Sequence, residues 1–135
     1  MEQANRLGMV MSVRKRFTVA EVNAGAVLVA AVVGMAHRLV DFTMIAIGGA
    51  AGTTTSVDLL GTRSAASVAL ATVAIAALSE NAIVKPNSGN VTMLAAGASY
   101  TALDAHTAIT INKTGGALDT ASHVDVVCSY ATERP

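Results

Sequence analysis

Residues 37–47 read HRLVDFTMIAI, and this stretch decides the fold class. In an extended chain successive side chains point to opposite sides. Val40, Phe42, Met44 and Ala46 then share one face, and Leu39, Asp41, Thr43, Ile45 and Ile47 share the other. Gly48-Gly49-Ala50-Ala51-Gly52 follows as a flexible inter-strand loop. Upstream, Ala26 to Val33 is a continuous, Val-rich apolar run that reads as a strand buried on both faces. The turn signal Asn23-Ala24-Gly25 opens it and Gly34 breaks it. Arg16 to Ala20 reads as the first strand, with residues 1–15 ahead of it as an extended N-terminal arm.

Downstream, Ser56 to Leu60 reads as a short strand ending at Gly61. Ile83 to Pro86 reads as a strand, with Asn87 to Asn90 as its turn, and Val91–Leu94 and Ala108–Lys113 are further strands. The last is His123 to Ala131, where Val124, Val126, Cys128 and Tyr130 share a face opposite Asp125, Val127, Ser129 and Ala131. Turn residues recur at intervals of roughly a dozen positions, the spacing of an all-β sandwich or barrel. Ser67 to Asn81 (SVALATVAIAALSEN) lacks a 3.6-residue period because nearly every position is apolar. Its Ala and Leu favour helix, but its β-branched residues and the strands around it favour strand, and it reads as strand with a helical turn near Ser79-Glu80-Asn81.

The chain has 135 residues, which is one domain. Apolar residues make up 53% and charged residues 13%, against about 25% charged in an average soluble protein. That excludes disorder. It also favours an obligate oligomer or a component of a larger shell, whose apolar surface neighbours would cover. Nine basic residues balance nine acidic ones, so no global field draws in nucleic acid or anionic lipid. The longest apolar run, Ala26 to Ala36, is eleven residues, too short for a bilayer span of about 20. Residues 1–16 hold no apolar stretch of the kind a signal peptide needs. A single cysteine excludes an intrachain disulfide and a cysteine-based zinc cluster.

Few residues invite chemistry. His37, His106 and His123 are spread out, without an HExxH-type pair, so no metal or cofactor is expected. Asp125 stands two residues after His123, on the same strand face, where the two could pair. Cys128 reads as a small buried hydrophobe. No GxSxG elbow is present, and the Gly48–Gly52 loop lacks the Lys of a phosphate loop. The expectation is a protein that is not an enzyme. Arg14-Lys15-Arg16 is the one basic cluster, and it reads either as a solvated start to the first strand or as a contact to an acidic patch on a partner.

A set of segments carries a family resemblance. It opens with residues 16–25 (RFTVAEVNAG) and continues with RLVD at 38–41 and AIGG at 46–49. LAAGAS at 94–99, DAHTAITI at 104–111, KTG at 113–115 and TASHVDV at 120–126 follow. The pattern, over about residues 16–131, resembles small tailed-bacteriophage head decoration, or cement, proteins. The resemblance implies a jelly-roll-like β-sandwich over residues 16–135, commonly a homotrimer, on the outer capsid surface of the virion. Its partner would be the major capsid protein, whose neighbouring copies it clamps. Residues 1–15, with Arg14, Lys15 and Arg16 at their base, would be a strap that adds as a strand to a neighbour. Two other readings compete: a head-fibre or tail-surface protein for host attachment, and a hydrolase on a β scaffold.

Overall fold

Strand periodicity governs nearly the whole of the computed structural model, which describes residues 9–93 and 101–135. In chain order these hold β1 (Val10–Thr18), α1 (Val19–Ala24), β2 (Ala26–Val29), β3 (Ala36–Ile47) and β4 (Gly52–Arg63). β5 (Ala66–Ala74), β6 (Val91–Met93), β7 (Ile109–Leu118) and β8 (His123–Glu133) complete them. The strands form two antiparallel sheets, ordered β1-β8-β3 and β2-β7-β4-β5-β6.

One buried cluster joins the two sheets. Phe42, Met44, Val124, Val126 and Cys128 come from the smaller sheet, and Val57, Leu59, Val73, Ile109 and Ile111 from the larger. Each set lies at alternate positions along its strand, so one face of every strand is apolar. Burying a side chain of this size contributes about 1.5–3 kcal/mol. The face expected for β8 is the one buried through Val124, Val126 and Cys128. In β3 the expected face shifts once. A bulge between Leu39 and Asp41 leaves Val40 without a partner on β8, and it turns to solvent at 46% exposure. Phe42, Met44 and Ala46 stay buried.

The first strand starts at Val10, not Arg16. Residues 10–15, assigned to the arm, pair in continuous antiparallel register with β8, from Val10 opposite Ala131 to Thr18 opposite His123. Met11, Val13 and Phe17 alternate with polar or exposed neighbours, so the segment has its own inward stripe. Residues 1–8 lie outside the described residues. The strand stops at Thr18 because a capping box begins there. The Thr18 hydroxyl accepts from the Glu21 N–H at 3.2 Å, and the Glu21 carboxylate accepts from the Thr18 N–H at 3.0 Å. Val19 and Ala20 therefore open α1 rather than continue a strand.

The 26–33 run is strand only as far as Val29. Val29 pairs with Ile109, the first residue of β7, so from Ala30 onward no partner strand remains. Residues 30–35 form a loop instead, turned by a Met35 N–H to Val32 C=O bond of 3.1 Å. Val32 and Val33 are exposed there, not buried on both faces.

Residues 66–74 are strand, followed by a single 3₁₀ turn at Ile75–Ala77, four residues before the helical turn expected at 79–81. β4 runs for twelve residues, longer than the SVDLL core seen in the sequence. Its hairpin to β5 is a two-residue turn with positive φ at Ser64 (53°) and Ala65 (60°), as a type I′ turn requires. Neither residue is glycine. Asp104 holds the turn by accepting from the N–H groups of Ser64 (3.0 Å) and Ala65 (2.8 Å).

Residues 83–86 are not a strand. Val84 makes one isolated antiparallel bridge to Met44. β6 covers Val91–Met93, and Leu94, expected at its end, lies outside the described residues. The glycine-rich loop carries the chain from the smaller sheet to the larger one. Gly48 has φ +79°, and a Cβ there would collide with Ser122, so the position needs glycine.

Candidate functional site

The basic cluster is divided by the strand it lies on. Arg14 and Arg16 point from the outer face of the smaller sheet, and Lys15 points the opposite way. Asp125, directly across from Arg16 on β8, gathers both arginines. Arg16 donates to it through Nε at 2.7 Å and Nη2 at 3.1 Å, and Arg14 Nη2 lies at 3.4 Å. The Asp125 side chain is 11% exposed, against 52% for Arg16. The Arg16 hydrogen bonds hold the Asp125 carboxyl below the usual carboxylate range, against the opposing effect of its burial. Asp125 in turn raises the Arg16 guanidinium. The three cations thus form no single basic patch, and one carboxylate offsets much of the outer pair.

Lys15 leads to a cleft between the two sheets. β1 is one edge of the smaller sheet and β2 is one edge of the larger. Between them opens a cleft of about 780 Å³. Met11 and Val13 of β1 form one wall, Leu28 and Val29 of β2 the other, and the 30–35 loop flanks it. Lys15 spans the mouth, donating from Nζ to the Val27 carbonyl at 3.0 Å. Tyr130, His37, Thr132 and Arg134 also line the cleft.

His37 ties the loop to the sheet. It is buried, with Nε2 2.8 Å from the Ala30 carbonyl and Nδ1 3.0 Å from the Thr132 hydroxyl. A carbonyl only accepts, which assigns a proton to Nε2. Tyr130 meets the imidazole edge-on, with ring centroids 5.4 Å apart. His37 is therefore a structural latch at the root of the loop. The sequence marks it only as a histidine at a strand start.

The other groups are spent on structure. His123 stands opposite Thr18 and Ile47, and its expected partner Asp125 takes the arginines instead. His106 sits in a loop at φ +59°, its N–H bonded to the Met35 carbonyl. Cys128 is buried, and burial, with a smaller effect from Asp41, pushes its thiol up to about 12. Asp58, buried on the larger sheet, accepts from Ser56 (2.8 Å) and Thr114 (2.6 Å). Among the described residues no three His, Cys, Asp or Glu side chains group as metal ligands.

Among the described residues, five of the eight exposed large apolar side chains belong to β1 and its lead-in, β2 and the cleft loop: Val32 and Val33 line the cleft, and Met9, Val10 and Val27 lie outside it. The sequence signal for this surface is weak: an apolar run without alternation, ended by Gly34, reads equally as core. Comparison with known proteins finds no family model that matches the chain and no curated relative.

Proposed function

We propose that this is a structural virion protein. It would bind the outer face of a bacteriophage head, as a homotrimer, and stabilise contacts between major capsid proteins. The observation that carries the reading is the set of exposed apolar side chains on β1, β2 and the 30–35 loop, on a chain with only 13% charged residues. Such a surface favours being covered by neighbours.

The strand pairing supports a jelly roll, the architecture that the resemblance implies. A jelly roll is a long hairpin wrapped into two sheets, so the first strand pairs with the last, the second with the last but one, and so on inward. Here β1 pairs with β8, β2 with β7 and β4 with β5. The remaining pair would join β3 to β6. In its place the 80–84 segment bridges to β3, and β6 pairs with β5.

The mechanism is mechanical. Each subunit adds a modest contact area, and many copies act together because binding at one site raises the effective concentration at the next. Arg14 and Arg16, both more than half exposed, remain available at the rim of a contact even with Asp125 beside them.

Light scattering of the purified protein, and co-sedimentation with expanded, undecorated heads of the parent phage, test this reading. A trimer that saturates the heads and raises their melting temperature supports it. A monomer that leaves the heads unchanged overturns it, and glycan binding by that monomer would favour host attachment instead.

A further inference from the structure

We infer that the β1–β2 cleft is an acceptor for an extended, apolar, carboxylate-bearing segment of a second protein. The inference rests on the decoration reading only for the owner of that segment, the shell subunit.

Three features define the occupant. The first is backbone. β1 is an edge strand of nine residues, roughly 30 Å at strand rise, and its outer side has no strand partner among the described residues. A row of open N–H and C=O groups is satisfied by another extended chain and not by an acyl tail. The second is the apolar wall, with Met11, Val13, Leu28, Val32, Met35 and Tyr130 facing one trough. An extended segment presents alternate side chains to such a trough.

The third is charge. Lys15 and Arg134 line the cleft, and among the described residues no acidic side chain does. Arg134 makes no ion pair among the described residues. A second copy would bring the same cations, Lys15 and Arg134, and no described carboxylate to the cleft, which like-charge repulsion opposes. An inward-pointing lysine on an edge strand is also a known guard against self-pairing. A carboxylate on the incoming segment removes the penalty. It would take up Lys15, which now donates to the Val27 carbonyl and feels the Glu21 carboxylate at longer range.

The test uses the full chain, labelled with nitrogen-15, and three acetylated octapeptides. The first alternates valine and threonine, with one valine replaced by glutamate. The second carries lysine in place of that glutamate, and the third carries proline mid-segment. The expected result is saturable shifts of the Val10–Lys15 and 30–35 amides with the glutamate peptide. Binding should weaken about tenfold with the lysine peptide, the scale of one charge contact. The proline peptide should bind less tightly, since it lacks a backbone donor.

Lys15→Glu should reverse the order of the two charged peptides, and Val13→Thr should weaken the glutamate peptide while circular dichroism stays unchanged. Several results would overturn the inference: no saturable shift with any peptide, equal affinity for glutamate and lysine peptides, laurate displacing the peptide signal at lower concentration, or self-association that moves the same amides. Head binding separates the two proposals. Heads bound unchanged by Lys15→Glu would remove the cleft as the shell contact and leave the decoration reading standing. Peptide binding by a chain that ignores heads would do the opposite.

Discussion

The smaller sheet has two edges, and they are finished in opposite ways. At β3 the 78–84 segment closes the edge. The Met44 and Val84 backbones exchange hydrogen bonds of 3.0 and 2.9 Å, and the Asn81 N–H reaches the Ala46 carbonyl at 2.9 Å. Leu78 and Val84 are buried beneath this cover. At β1, on the other side of the same central strand, no segment of the described chain pairs with the edge, and Lys15 alone reaches across to β2. Both edges belong to strands with an apolar inward stripe. Closure is therefore decided by a short local segment that lays its own backbone alongside, and not by the sheet itself. An open edge next to an apolar trough is a liability unless something uses it.

The contrast can be broken or sharpened by substitution, starting with the largest effect. Phe42→Ala, under the closed edge, should lose about 3–5 kcal/mol in urea unfolding, because Phe42 is 2% exposed and its cavity cannot collapse fully. Val84→Ala removes buried methyls from the closing segment and should lose about 1–2 kcal/mol. It should also raise amide exchange at Met44 and Ala46 more than at β1. Equal exchange at both edges in the parent protein would refute the contrast outright.

A third test lies on the outer face. Asp125 is held below its ordinary range chiefly by the Arg16 hydrogen bonds, so its contribution is present above the unfolded carboxyl value of about 3.9. It is lost as pH falls through the lower folded value. Glu21, depressed chiefly by the Thr18 backbone N–H, and Asp119, depressed chiefly by the Thr53 hydroxyl, act with the same sign. Asp125→Asn should therefore lower stability at neutral pH and flatten, without abolishing, the acid limb of a stability-against-pH curve. The smallest effect belongs to the open side. Val33→Ser, at 78% exposure, should stay within about 0.5 kcal/mol of the parent.

What the sequence revealed divides along physical lines. The inward faces of β3 and β8 were legible because alternation is a property of the chain alone. So was the loop at Gly48, where five small residues stand together. The strand at 66–74 emerged from its β-branched residues, although Ala and Leu blurred it. The bulge at Val40 was hidden, since nothing in RLVD marks which residue the partner strand will skip. The end of β2 was hidden too, because it is set by where β7 begins, eighty residues away in the chain. The basic cluster misled for a related reason. Three consecutive cations look like one patch until strand alternation turns Lys15 away and β8 brings Asp125 between the other two.

The position of β8 has a consequence in time. It is the central strand of the smaller sheet, yet the chain reaches residues 123–133 only after the seven other described strands have been made. During synthesis β1 and β3 have nothing between them, and each waits with an apolar stripe and, on the side β8 will fill, a bare edge. The sheet then forms in one late step, through contacts separated by about a hundred residues (Val10 with Ala131, Ala36 with Glu133). Contacts that distant slow folding, because the intervening loop must close before anything is gained. The nascent chain is thus most prone to associate just before its final strand arrives, and a chain cut short before residue 123 should aggregate rather than fold.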